Sequence, residues 1–220
     1  MIPYVDLHTH RKTQWGQVVS VNNLMLNETT DLPSHPFSAG LHPWHADQLS
    51  LETLSARLNE CLVSPDLVAI GETGLDKVCK TPMDLQKDVF EFQLKIASEN
   101  RKPVIIHCVK AWDELIEISS NYKSIKILHG YNGGIQLTER LLKLGFCFSI
   151  GKAILNSGSK VFSAVNLIPH TSLFCETDIA EISIIQIYKI LCGVLQLQDE
   201  DLRKIMFDNY TRIMSAKISN

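Results

Sequence analysis

Six residues of the types that bind divalent metal ions close apolar runs that read as β-strands: His8, His10, Glu72, His107, His129 and Asp178. The runs are Tyr4 to His10, Leu67 to Glu72, Pro103 to His107, Lys126 to His129 and Leu173 to Asp178. Residues two apart on a strand project to the same side, so His8 and His10 can share one ion. Glu72 ends an otherwise apolar run, where burying a carboxylate is costly unless it meets a cation, either a metal or a lysine such as Lys77. Taken singly, His107 and His129 also fit hydrogen-bonded core histidines, and Asp178 fits a helix N-cap. Five strand ends that all finish on ligand-type residues argue jointly for a metal site, and the chemistry such a set supports is metal-assisted hydrolysis.

Those ends must converge, and a parallel barrel makes the C-terminal ends of its strands converge on one face. Strand-like and helix-like patterns alternate along the chain as such a fold requires. Gln17 to Val21 and Phe37 to Pro43 supply a second and third strand, Phe146 to Ile150 the seventh, and the run ending at Asp178 the eighth. Ser50 precedes the helical spacing of Leu51, Leu54 and Leu58. Thr81 is a predicted N-cap with Pro82 in the first turn, followed by Leu85, Val89, Phe92 and Ile96 as the core-facing stripe. Ile135 to Lys143 reads as a helix stopped by Gly145 in a left-handed cap. Ile184 to Leu195 and Leu202 to Met214 close the chain as helices. Only six residues separate His10 from Gln17, too few for a helical crossover between parallel strands. The expectation is a TIM-type (β/α)8 barrel abbreviated near its N-terminus, with residues 1–220 forming one domain.

Composition narrows the function classes. A net charge of −3 and a pI near 6.2 lack the basic footprint of a protein that grips a long nucleic acid. The N-terminus has no basic segment leading into a long apolar stretch, and no run approaches a membrane span. The six cysteines show no C-x-x-C pairing and read as reduced thiols, three of them in or beside strand-like runs. The expectation is a cytoplasmic protein with no membrane association and no obligate protein partner.

The ordered motifs Asp6-Leu7-His8-Thr9-His10, Gly40-Leu41-His42-Pro43, Ile70-Gly71-Glu72-Thr73-Gly74-Leu75-Asp76, Ile105-Ile106-His107-Cys108, Leu128-His129-Gly130 and Glu176-Thr177-Asp178 resemble those of the TatD family of metal-dependent hydrolases, within the amidohydrolase-like barrels. The resemblance covers about Tyr4 to Asp178. It implies a two-metal site with His8, His10 and Asp178 on one ion, His107 and His129 on the other, and Glu72 bridging. It also implies phosphodiester hydrolysis, in the family often of DNA ends. Asp178 is then the residue that orients the nucleophile and moves its proton, with Glu72 the second catalytic carboxylate. Two divalent ions are the implied cofactors, zinc first, with manganese, nickel, iron or magnesium as alternatives.

Two departures bear on substrate. Where the family has an arginine after the fifth-strand histidine this chain has Val109 followed by Lys110, and the loop after Asp178 is short, Ile179-Ala180-Glu181-Ile182 leading almost directly into a helix. A lysine beside the site is a point charge, without the bidentate fork of arginine. His42, Lys77, Lys110, Tyr131 and Lys152 follow strand ends and are the candidate substrate contacts. The expected substrate is a phosphoester, either the end of a DNA strand or a short oligonucleotide. Alternatives are a hydrolase of C–N bonds or lactones on the same scaffold, and a barrel that binds metal without turnover.

Overall fold

The computed structural model describes residues 2–11, 16–29 and 31–214. Strands lie beside their chain neighbours in the order β1 (Tyr4–Thr9), β2 (Val18–Met25), β3 (Phe37–Gly40), β4 (Leu67–Asp76), β5 (Val104–Val109), β6 (Lys126–Leu128), β7 (Cys147–Ile150) and β8 (Leu173–Cys175). The chain groups into two compact units, one of residues 1–22 with 127–220, the other of residues 23–126. No helix is assigned among the described residues between β1 and β2, as the short spacing requires; residues 12–15 lie outside the described residues.

In the first unit β1 pairs in parallel with β2, and β7 with β6 and β8. Helix α4 (Ile135–Lys143) ends before Gly145, whose φ of 77° is the expected left-handed stop. Helix α5 (Lys160–Ala164) is short and is capped by Ser159, whose hydroxyl accepts from the Phe162 amide. Helix α6 (Ile184–Leu195) starts in a capping box formed by Ser183 and Gln186, and α7 (Asp199–Met214) begins three residues earlier than its apolar pattern. The added turn is acidic, Asp199, Glu200 and Asp201, where negative charge suits the helix N-terminus. Tyr188 of α6 clamps β1, its hydroxyl accepting from the Val5 amide at 3.0 Å and donating to the Val5 carbonyl at 3.2 Å.

In the second unit β4 pairs in parallel with β3 and β5. Ser50 caps α1 (Leu51–Leu62) through the Thr53 amide, as its sequence predicts. Helix α2 (Met83–Glu99) corrects two expectations. Thr81 does not cap it: Pro82 occupies the N-cap position, and the Thr81 hydroxyl donates to the Trp44 carbonyl at 2.8 Å. The buried stripe is also rotated, to Gln86, Val89, Phe90, Gln93, Leu94 and Ala97, leaving Leu85 exposed. The cause is polar. Gln86 accepts from the Asp76 amide at 2.7 Å, and Gln93 accepts from the Leu41 amide at 2.8 Å while donating to the Leu41 carbonyl at 3.0 Å. These bonds satisfy buried main chain of β4 and of the segment after β3, so the two glutamines face inward. Helix α3 (Trp112–Ser119) follows β5 directly.

The fourth strand was expected to end at Glu72 but runs on to Asp76, with its register shifted between Ile70 and Thr73. Gly71 and Gly74 have φ of 131° and 146°, and a Cβ at either would collide with the carbonyl of Ile105 or His107. Only glycine lets β4 follow β5 this closely. Glu72 is therefore held within a strand rather than at its loose end.

Candidate functional site

The first unit brings His8, His129 and Asp178 together, with one donor atom from each lying within 4.8 Å of the others. His8 is fully buried near the end of β1, and its ring centroid lies 4.6 Å from that of His129, which follows β6, and 5.1 Å from that of His10. Asp178 Oδ1 is 3.8 Å from His8 Nε2 and 3.7 Å from His10 Nε2. The main chain explains how a residue three positions past β8 reaches β1. The Asp178 amide donates to the His8 carbonyl at 2.9 Å, and the Asp178 carbonyl accepts from the His10 amide at 3.3 Å. Asp178 adopts φ of 53°, a left-handed conformation that aspartate tolerates better than most residues.

Behind these donors stand two buried carboxylates that sequence reasoning left without a role. Glu176 is fully buried; its Oε1 accepts from the Gly130 amide at 2.5 Å and lies 3.4 Å from His129 Nδ1. A proton on Nδ1 directed at that carboxylate leaves Nε2 as the lone-pair nitrogen, the usual support for a metal-binding histidine. Asp6 accepts from the Thr177 amide at 2.8 Å and hydroxyl at 2.6 Å, fixing the residue before Asp178. Burial pushes the Asp6 carboxyl up to about 7 against these two bonds, and the charges of Glu176 and Asp178 add to the rise.

In the second unit the donors are His42, Glu72 and His107. Glu72 is buried, its amide donating to Asn23 Oδ1 at 2.8 Å. Its Oε1 lies 3.1 Å from His42 Nε2 and 3.0 Å from His107 Nδ1. The opposite nitrogen of His107, Nε2, is 3.4 Å from Asp76 Oδ2. That carboxylate is held by the Trp44 indole N–H at 2.6 Å and the Val78 amide at 2.7 Å. Burial would raise the Asp76 carboxyl, but hydrogen bonds from Trp44 and Val78 and the nearby His107 outweigh it and hold the group below the usual carboxylate range.

The two histidines of this set are not equivalent. His42 caps a 3-10 turn at Pro43–His45, and its Nδ1 accepts from the Trp44 amide at 3.2 Å. An imidazole that accepts at Nδ1 carries its proton on Nε2, so His42 presents an N–H rather than a lone pair. His107 lies between two carboxylates, its Nδ1 3.0 Å from Glu72 Oε1 and its Nε2 3.4 Å from Asp76 Oδ2; with the proton on Nε2, Nδ1 would present a lone pair beside a Glu72 oxygen, two donors that a divalent cation would join. The donor chemistry thus fits a metal on both sets, imidazole with carboxylate in each.

The remaining sequence candidates are placed as follows. Lys77 pairs with Glu114 at 2.6 Å rather than with Glu72, and the pairing lowers the Glu114 pKa. Lys110 is exposed with φ of 56°, and Lys152 is exposed at the start of a 3-10 turn at Lys152–Leu155. Tyr131 is 1% exposed, its hydroxyl 2.8 Å from Thr138 Oγ1 and its ring edge-on to Phe148 at 4.7 Å. That placement gives its side chain a packing role. The signal for Asp76 and Glu176 was present in the sequence, since each is an acid within or just after an apolar run, two or four residues from a candidate ligand.

The model of the family described as TatD related DNase matches residues 18–215. The human protein named 3'-5' RNA nuclease TATDN2 is 36% identical over 161 residues, 70% of this chain and 21% of its own length. The protein named 3'-5' ssDNA/RNA exonuclease TatD of Erwinia amylovora is 36% identical over 148 residues, 64% of this chain and 56% of its own. The chain thus spans about half the length, or less, of these curated relatives. The crystal structure of YjjV, a TatD homologue from Escherichia coli K12, superposes with a TM-score of 0.81 at 21% identity, covering 98% of this chain and 100% of that one. This likeness shows the TIM-type (β/α)8 fold expected from the sequence, and the family match shows that the chain belongs to the TatD-related DNase family.

Proposed function

We propose that this protein is a divalent-metal-dependent hydrolase of phosphoester bonds that acts on the ends of single-stranded nucleic acid or on short oligonucleotides. The observation that carries the reading is the convergence of His8, His129 and Asp178 within 4.8 Å, with the Asp178 side chain 29% exposed where a substrate can reach it. The names of the human and Erwinia relatives support the same bond class.

Two ions are proposed, with His129 reassigned from the His107 ion because its ring centroid lies 4.6 Å from that of His8, and Glu72 assigned to one ion rather than to both: His8, His10, His129 and Asp178 would hold the first, and Glu72 with His107 the second. Zinc is the first choice and manganese, nickel, iron or magnesium the alternatives. Divalent ions held there would supply Lewis acidity and lower the pKa of bound water. The chain's own groups do the rest. Asp178, left partly open to solvent, accepts the proton of the attacking water and orients it. Glu176 and Asp76 fix the ring orientation of His129 and His107. His42 directs its Nε2–H toward Glu72 Oε1 at 3.1 Å and so holds that carboxylate in place, a positioning role rather than the substrate contact expected from its sequence. Of the lysines expected to contact phosphate, Lys110 and Lys152 are exposed, whereas Lys77 is paired with Glu114.

Restriction to ends and short strands follows from charge. Tracking along a polynucleotide takes several phosphate contacts and gives a steep salt dependence. Here Val109 stands where the family has arginine, Lys77 is tied to Glu114, and the net charge is −3. A cytoplasmic location is proposed from the free thiols: all six cysteines are unpaired with one another. No helix among the described residues is long and apolar enough to cross a membrane.

The test is hydrolysis of end-labelled single-stranded oligonucleotides by protein loaded in turn with each metal, beside amide and lactone substrates. Stepwise loss of terminal nucleotides, abolished by Asp178→Asn, is expected. Turnover of an amide or lactone with no phosphoester cleavage would overturn the reading in favour of C–N or lactone hydrolysis.

A further inference from the structure

Trp44 is a large apolar side chain left in the open, 54% exposed, in the turn that carries His42. An exposed tryptophan usually keeps rotamer freedom, but this one is fastened. Its indole N–H donates to Asp76 Oδ2 at 2.6 Å, its amide donates to His42 Nδ1 at 3.2 Å, and its carbonyl accepts from the Thr81 hydroxyl at 2.8 Å. Its ring stands perpendicular to that of His42, centroids 4.9 Å apart, and nearly so to that of His107, at 6.3 Å. An indole plane is therefore held in one orientation directly beside the second donor set, with over half of its surface uncovered.

We propose that Trp44 is a nucleobase platform on which the terminal base of a single-stranded substrate stacks while its phosphate lies at the metal donors. The inference rests on the nucleic-acid reading above and deepens it by naming what holds the substrate. A chain with few phosphate-binding cations must obtain affinity from elsewhere, and base stacking on an aromatic ring supplies it without regard to sequence, because every base has a π-face. A pre-fixed ring loses little entropy when covered. The indole N–H is already spent on Asp76, so recognition is by the ring and not by a hydrogen bond. The site accordingly accepts any base and refuses an end that lacks one.

The test compares short single-stranded oligonucleotides that end in a base with otherwise identical ones ending in an abasic residue, each with an uncleavable terminal linkage. Binding is read from Trp44 fluorescence in the metal-loaded Trp15→Phe, Trp112→Phe protein, where Trp44 is the remaining tryptophan, and by a label on the DNA in Trp44 variants. The base-bearing end is expected to bind about 5- to 150-fold more tightly and to quench Trp44. Trp44→Phe should keep most of that preference, whereas Trp44→Leu, apolar but without a π-face, should lose it. A purely structural role through Asp76 predicts the reverse, with Phe as damaging as Leu and both ends weakened alike. Equal binding of the two ends by the starting protein, or an unchanged preference in Trp44→Leu, overturns the platform. Cleavable versions of the same strands separate the two readings. Cutting without a base preference refutes the platform and leaves the nuclease, whereas a base preference without cutting refutes the nuclease and leaves an aromatic-ligand site.

Discussion

Asp178→Asn separates metal binding by one donor set from the stability of the fold. Asparagine keeps the shape and tolerates the left-handed conformation observed at φ 53°. The Asp178 pairs with His8 and His10 are 3.7–3.8 Å long and the carboxylate is 29% exposed, so their loss in the metal-free protein changes little. Metal binding is another matter. A site filled at 100 times its dissociation constant stabilises the fold by about 2.7 kcal/mol. For 220 residues the unfolding entropy is about 0.46 kcal/mol/K, so each filled site raises Tm by about 6 °C and two by about 12 °C. Losing a direct carboxylate ligand weakens one site by about 100-fold, at least the upper loss seen for outer-shell partners. At the same metal concentration that site then contributes about 0.4 kcal/mol, or about 1 °C. Scanning fluorimetry of the chelated and loaded proteins should show wild type rising by about 12 °C, the variant by about 7 °C, and similar Tm for both in chelator. An undiminished shift in Asp178→Asn would show that Asp178 is no ligand. The absence of any shift in wild type with all five metals would remove the metal reading altogether.

Three further outcomes test the supports of the site. Asp76→Asn should weaken metal binding at the Glu72 and His107 set by about 10- to 100-fold and change Trp44 emission as the indole loses its charged acceptor; isothermal titration with unchanged affinity at both sets would refute the support role. Gly74→Ala, whose Cβ falls on the His107 carbonyl, should cost more than about 2 kcal/mol in urea unfolding, whereas Gly145→Ala, with φ of 77° but no atom within 4 Å, should cost only the roughly 1–2 kcal/mol of left-handed strain. Burial, with Glu60 nearby, pushes the Cys61 thiol from 9.0 up to about 11. The unfolded thiol therefore ionises first, and the stability it contributes is complete below pH 9 and falls as pH rises toward 11. Urea unfolding across that range should show a flatter decline for Cys61→Ala than for wild type, and parallel curves would contradict the raised value.

What could be read in the sequence was whatever periodicity or a single special residue decides. The eight strand positions, the Ser50 cap, the Gly145 stop and, among the described residues, the lack of a helix between β1 and β2 all follow from local rules, because apolar alternation, a hydroxyl before a helix, a glycine after one or a short spacing acts over a few residues. The rotation of α2 could not be read that way. Gln86 and Gln93 turn inward to satisfy main-chain groups at Asp76 and Leu41, and polar residues on a helix otherwise mark the solvent face. The run-on of β4 past Glu72 was hidden for a related reason. Gly71 and Gly74 look like strand breakers until the backbone they approach is known. The same limit applies to the site. The candidate metal donors were visible because imidazoles and carboxylates at strand ends are anomalous by type, and Asp76 and Glu176 carry the same signal, whereas the ring each of them faces, and the part played by Asn23, become recognisable only through tertiary contact. Local pattern thus names candidate ligand-binding residues, and tertiary contact decides the tautomer and orientation they present. For His42 that second step is decisive: the Trp44 amide at its Nδ1 makes a candidate substrate contact an N–H donor facing Glu72, and the same turn places the Trp44 ring beside it.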